Sequence, residues 1–432
     1  MSAEWLLVGG EPFVDGLVLS HPEQVDRLRE ACPQALDAAV LGGDPCFDRM
    51  LAARPHRERF RRALGVRSGQ RLVVLNSTWN PEGFFGNGGD ADLLPGLLPR
   101  LGAELPADEY RVVAVLHPNV WFGHGPGQVR AWLDGARRAG LTLIDPVRSW
   151  RQALVAADLV VGDFGAVSYY AAALGLPVLI AADGAERLDP QAPPAAFVRE
   201  APRFDAGADL ARGFHEVIAK HRPLPGPAEF TTSAPGGSAG LLRRHFYALL
   251  GLPEPAAPAL LEPLPLPPHE PPRRTAPYFA RTLVSGAEVT VERSTAHPYG
   301  AGGASRLLVH EDTLDPEALE SADLITREGP AEDPRFGGPE AWTAEVLRRY
   351  PHCAAAAWVT GPDACVVRVR SHGLFRLAAA PGADADPPAY AVGLAAWLDA
   401  GRPSDAAGAG AFAVRVAGRA HPVLVEADRP EA

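Results

Sequence analysis

Asp158-Leu-Val-Val-Gly-Asp-Phe-Gly-Ala-Val-Ser-Tyr-Tyr170, running on into Ala171-Ala-Ala-Leu-Gly-Leu-Pro-Val-Leu-Ile180, decides how the chain folds. Leu159 to Val161 is an apolar run of strand length, and Gly162 to Gly165 is a glycine-bracketed turn. Ala166 to Leu174 follows with helix length and small residues, and Pro177 opens a second apolar run. The pattern predicts a βαβ unit with a tight turn at the carboxyl end of its first strand. In open parallel sheets such a turn brings backbone N–H groups and a positive helix N-terminus to an anionic ligand.

Outward from this unit the same rhythm continues. Apolar runs at Leu72 to Leu75, Val112 to Leu116, Leu141 to Ile144 and Val178 to Ile180 alternate with helical stretches near 91–103, 126–139, 149–157 and 166–174. Strands this apolar on both faces, separated by helix-length segments, predict a Rossmann-like doubly wound parallel sheet of the α/β class. Ligand groups then belong just after the strands, at Asn76-Ser77-Thr78-Trp79, His117-Pro-Asn119, Asp145-Pro146 and Gly162-Asp163-Phe-Gly165.

The flanks are less regular. In residues 1 to 65, Trp5 to Val8, Gly16 to Leu19 and Ala38 to Leu41 are strand-like, and Ser20 is a suitable N-cap for a helix from Pro22 to Ala31. An Arg-rich helical segment, Asp48 to Leu64, is expected to carry its charges on a solvated face. After the sheet, helices are expected from Ala208 to Lys220 and from Ala239 to Leu250, the second ended by Gly251. Residues 252–277 are dominated by proline and predict a semi-rigid linker. Residues 278–432 change rhythm to a small α+β unit. Its strand candidates are Ala287 to Glu292, Arg306 to His310, Ala355 to Thr360, Cys365 to Arg370 and Ala411 to Val416, and its helices lie near 339–350 and 388–400. Its histidines, His297, His310, His352 and His372, have no metal-ligand spacing, so no metal and no cofactor is expected.

With 432 residues, 47% hydrophobic and 22% charged, the composition is that of a globular protein with a large core. A formal charge of −11 provides no basic field for nucleic acid. Cys32, Cys46, Cys353 and Cys365 are scattered and expected to be reduced. No apolar run approaches the roughly 20 residues that span a bilayer, so a cytoplasmic protein is expected, with peripheral membrane contact left open.

Several motifs then converge. Gly43-Asp-Pro-Cys-Phe-Asp48, Ser77-Thr-Trp79, Leu116-His-Pro118, Trp150 with Ala156-Ala-Asp158, and Gly162-Asp163 leading to Tyr170-Ala-Ala-Ala-Leu-Gly-Leu-Pro177 together resemble the GT-B-fold CDP-glycerol glycerophosphotransferases, an actinobacterial branch above all. The likeness covers about residues 1 to 220. It implies that residues 66–251 are a nucleotide-donor domain, and that residues 1–65 are the end of an acceptor domain most of which is missing. It also implies a nucleotide-activated small-molecule donor, with His117 in the donor pocket and Asp163, Gly165 and Ser168 at the pyrophosphate. Ser77, Thr78 and Trp79 join that candidate binding set, while Trp121, Asn119, His124 and Gln128 lie near the same rim. Asp44 and Asp48 are expected to fix the chain crossover rather than touch substrate.

Two departures from the family pattern matter. Phe164 stands where the family usually has Tyr or His, and Ala166 where it has Ser or Thr. The acceptor half would also supply the base, so no catalytic residue is assigned. The expectation is therefore a glycerophosphotransferase-like transferase acting on a cell-envelope acceptor, against a non-catalytic nucleotide-binding or interaction protein derived from the same fold. An epimerase would need paired carboxylates that the sequence lacks.

Overall fold

The computed structural model describes residues 3–89, 92–269, 274–295, 304–381, 385–403 and 412–428. Near the N-terminus, β1 (Leu7–Val8) and β2 (Glu11–Pro12) form a small hairpin, and β3 (Leu17–Leu19) pairs in parallel with β4 (Ala39–Leu41). Trp5, expected in a strand, lies in the short helix Ala3–Leu6. The helix Pro22–Ala31 is capped by His21, whose ring nitrogen accepts from the Glu23 N–H, and not by Ser20.

The central sheet is β5 (Arg71–Ser77), β6 (Tyr110–Leu116), β7 (Thr142–Leu143), β8 (Leu159–Asp163) and β9 (Val178–Ala182), in the order β7-β6-β5-β8-β9 with every pair parallel. Alternation along β5 explains why both faces are covered. Leu72 and Val74 enter a core with Phe47, Met50, Phe60 and Leu154, whereas Val73 and Leu75 enter one with Leu94, Leu97, Leu101 and Phe214. All four β5 side chains are at most 1% exposed, each contributing about 1.5–3 kcal/mol of transfer free energy. The sequence-predicted Rossmann-like parallel sheet is what the chain forms.

The Arg-rich segment is not simply solvated. It breaks into Pro45–Ala53 and Arg57–Ala63. Arg57 and Arg61 donate to the two carboxylate oxygens of Asp158 at 2.6 and 2.7 Å, just before β8. The other Asp158 donor is the Leu72 N–H at 2.7 Å, so this carboxylate joins a helix and two strands. The proline-rich stretch has no regular structure where described, yet it is docked: Leu264 is buried and the Gln152 amide donates to the Pro265 carbonyl at 2.9 Å.

The C-terminal part contains a closed barrel. Its strands are β10 (Tyr278–Ser285), β11 (Glu288–Ser294), β12 (Ala304–His310), β13 (Leu324–Glu328), β14 (Ala355–Val359), β15 (Ala364–Val369), β16 (Gly373–Ala379), β17 (Ala413–Val416) and β18 (Arg419–Ala427). Around the barrel they run β10-β11-β17-β18-β16-β15-β14-β13-β12, and β12 returns to β10. The helix Pro387–Asp399 is buried on every side, among inward residues from all nine strands. A helix apolar all round needs such an enclosure. Gly393 faces β17 closely, because a Cβ there would press on Val414. Helix Pro339–Arg349 covers the outside of β14 and β15, with Trp342 against Trp358 and Arg368 donating to the Thr343 hydroxyl. Ala411, expected at the start of a strand, lies outside the described residues.

Buried ion pairs join barrel and sheet. Arg293 on β11 pairs with both Asp108 and Asp386, and Arg67 pairs with Asp386 as well. Burial pushes the Asp386 carboxyl up, but Arg293 and Arg67 outweigh it and hold it well below the usual carboxylate range. Among the described residues no helix is long and apolar enough to cross a membrane.

Candidate functional site

The strand order reverses between β5 and β8, and ligands of such sheets bind at the carboxyl ends there. A cavity of about 310 Å³ lies at this point, lined by Ser77, Thr78, His117, Trp150, Gly165 and Ala166 among others. Its floor is the start of helix Ala166–Ala173. Gly165 is the N-cap and no side chain caps the helix, so the first N–H groups have neither intrahelical nor side-chain acceptors. Those N–H groups carry the positive end of the helix dipole.

His117 caps the next helix, Pro118–His124, with its Nδ1 accepting from the Asn119 N–H at 3.0 Å. A neutral ring used this way carries its proton on Nε2. Burial lowers the His117 pKa, opposed by the charge of Asp163. The neutral, Nε2–H form is therefore the resting donor at the cavity wall.

Asp163 lies beneath the cavity. It is fully buried and its carboxylate accepts from the N–H groups of Thr78, Phe84 and Gly165 at 2.7, 2.9 and 2.9 Å, and from the Ser77 hydroxyl at 3.3 Å. Burial raises its pKa and the three N–H donors oppose that rise. Ser168 is also fully buried, its hydroxyl accepting from the Asn76 amide at 2.7 Å. Neither residue presents an open polar atom to the cavity; both shape it from below. Gly162 is required by that contact, because a Cβ would overlap the Asn76 amide.

The remaining candidates separate. Thr78 and Gly165 line the cavity, while Trp79 does not and is 55% exposed. His124 packs against Phe85 and Trp132, and Gln128 is exposed. Trp121 is buried beneath Arg130. Asp44 caps helix Pro45–Ala53 and accepts from the Tyr170 hydroxyl at 2.7 Å. Asp48 accepts from the Gly236 and Ser238 N–H groups. Both acids hold chain crossings. Phe164 is buried against Gly184.

Asn76, Pro146, Trp150 and Tyr170 belong to the lining as well. All four stood in quoted rim or motif segments, but nothing in the sequence indicated which of their side chains turn inward. Among the described residues, no three His, Cys, Asp or Glu groups come together to hold a metal. His297 lies outside the described residues.

No family model matches the chain, and no curated protein matches it. Among solved structures, a variant of the wall teichoic acid polymerase TagF is similar at 15% identity and a TM-score of 0.35, over 55% of this chain and 59% of that one. The same variant soaked with CDPG has 15% identity and a TM-score of 0.38, over 55% and 57%. The UDP-GlcNAc 2-epimerase from Neisseria meningitidis bound to UDP-GlcNAc has 11% identity and a TM-score of 0.31, over 54% and 61%. The chain thus spans less than two thirds of the length of each. Its Rossmann-like character follows from its own strand order and parallel registers.

Proposed function

We propose that the cavity between β5, β6 and β8 binds a nucleotide-activated donor of the CDP-glycerol class, as the donor half of a GT-B-type glycerophosphotransferase. The observation that carries this reading is the uncapped start of helix Ala166–Ala173 opening into a cavity walled by His117. A diphosphate there takes hydrogen bonds from the helix N–H groups and from His117 Nε2, all charge-assisted. The side chains of Thr78 and Trp150 extend the lining towards the rest of the ligand. In transfer, these donors stabilise negative charge on the departing nucleotide.

A second reading, nucleotide binding without turnover, is favoured by the titratable groups of the lining. His117 holds its Nδ1 in the Asn119 cap, and Tyr170 donates to Asp44. Burial first, then Asp44, drives the Tyr170 hydroxyl far above its usual range. Among the described residues, no carboxylate lines the cavity. A base for an acceptor hydroxyl therefore comes from outside this lining.

Titration of the purified chain with CDP-glycerol, CMP and UDP-glucose, followed by assay for CMP release, separates the readings. Saturable binding with release of CMP supports the transferase, and binding without release supports the second reading. Failure of all three nucleotides to bind removes both.

A further inference from the structure

A second cavity, larger than the one at the switch point, lies elsewhere among the described residues. A groove of about 880 Å³ runs along the β7 edge, between the sheet and the barrel. Its sheet side carries Trp121, Arg130, Asp134 and Arg137, and the barrel side adds Asp312 and Leu314 from the loop after β12. Pro146 lines both this groove and the switch-point cavity. Helix Pro118–His124 connects them too: it begins beside His117 in the cavity, and one turn on it places Trp121 in the groove.

We propose that this groove binds a hydroxyl-rich, weakly charged ligand of the sugar or polyol class. We further infer that the barrel is the recognition element for the molecule that receives the transferred group. This second step rests on the donor reading above; binding in the groove does not.

Charge balance selects the ligand class. Arg130, Arg137 and Arg138 face Asp134, Asp145 and Asp312 in one lining, so no net field favours a polyanion. Hydroxyl groups both donate and accept, and guanidinium donors beside carboxylate acceptors serve both functions. Arg138 and Asp134 illustrate the arrangement, paired at 2.7 Å. Apolar surface for C–H faces comes from Leu143 and from Leu314, which is 70% exposed at the lip. The volume falls within the about 300–1,000 Å³ usual for small-molecule sites.

The groove is also preorganised. The Arg138 carbonyl accepts from the Thr275 N–H at 3.0 Å, and the Arg138 guanidinium donates to the Thr275 hydroxyl at 3.1 Å. Tyr278 at the start of β10 donates to the Ala139 carbonyl at 2.9 Å. With Arg293 locked between Asp108 and Asp386, the two walls are held at a fixed distance without a ligand. A fixed cleft avoids the ordering cost of binding.

Ligand-observed NMR on the full chain tests this with glucose, N-acetylglucosamine and glycerol, and with sodium triphosphate as the polyanion. CDP binding is measured on the same samples. Leu314→Glu and Arg130→Ala alter exposed side chains on opposite walls, and the thermal midpoint of each variant checks that it is folded. The expected result is saturable binding of at least one hydroxyl-rich probe, weakened about tenfold by each substitution, with CDP binding unchanged. Absence of binding by all three probes, preference for triphosphate, or binding indifferent to both substitutions overturns the proposal. Failure of the unsubstituted chain to bind CDP, with the hydroxyl-rich probes still binding, contradicts the donor reading, and with it the acceptor role, while leaving the groove's ligand class supported.

Discussion

The carboxylate of Asp163 accepts a hydrogen bond from the backbone N–H of Thr78 at 2.7 Å, which ties the ends of β8 and β5 together where the strand order reverses. The same group collects the N–H groups of Phe84 and Gly165. A residue whose type and position suggest ligand contact is instead the anchor of the two loops that form the cavity.

Asp163→Ala is accordingly expected to act on stability first. Three backbone N–H groups lose their acceptor, each at a cost of about 1–3 kcal/mol. The urea midpoint should fall, and nucleotide affinity should fall with it. Asp163→Asn keeps one acceptor oxygen and should lie between the two. An unchanged midpoint for the alanine variant would contradict the anchoring role.

Gly162→Ala places a methyl group on the Asn76–Ser168 hydrogen bond beneath the helix start. Overpacking of this kind costs about 1–3 kcal/mol. Denaturant unfolding measures it, and the double change Gly162→Ala with Asn76→Ala should recover part of the loss by removing the group that is struck.

Arg293→Met leaves Asp108 and Asp386 buried without their common cation. Breaking such a site costs about 3–5 kcal/mol, so the thermal midpoint should drop. The pH dependence has a definite sign. In the wild type Asp386 has a lowered pKa in the fold, so its contribution is present above the usual carboxylate range and is lost as pH falls through the lowered value. Without Arg293 the burial of Asp386 is opposed by Arg67 with less help, which moves the balance towards the protonated carboxyl, so the stability gap between variant and wild type should narrow towards acid pH.

His117→Ala removes one donor to an anionic ligand. Hydrogen bonds to charged groups contribute about 1.5–3 kcal/mol, so calorimetry should show a fall of about tenfold or more in CDP-glycerol affinity. Burial lowers the His117 pKa in the free protein, and a bound pyrophosphate raises it again. The bound state then holds more protons, so wild-type affinity should increase as pH falls through the histidine range. His117→Ala should lose that slope, and persistence of the slope would assign it to another group.

Much of the architecture is legible before the fold is seen, for physical reasons. Val73, Val74, Val113 and Val160 lie in strands buried on both faces, so their runs are continuous and easily recognised. The rim residues follow from the strand ends. The fate of each polar side chain does not: Asp163, Ser168 and Asp158 are long-range partners of backbone and side chains some eighty or more positions away, and no local pattern encodes those distances. The barrel is the larger gap. Its closure depends on β10 meeting both β11 and β12, and on a helix filling the interior. The strand and helix patterns of residues 278–432 specify elements but not which strands become neighbours.

The most direct measurement is a titration of the isotope-labelled chain with CDP-glycerol, following the backbone amides of Ala166 and Val167 and the ring of His117 by NMR. A diphosphate at the start of helix Ala166–Ala173 predicts saturable shifts of both amides and of the His117 Nε2–H, with one common affinity. Binding of CDP-glycerol that leaves these signals unmoved, or no binding, contradicts the account.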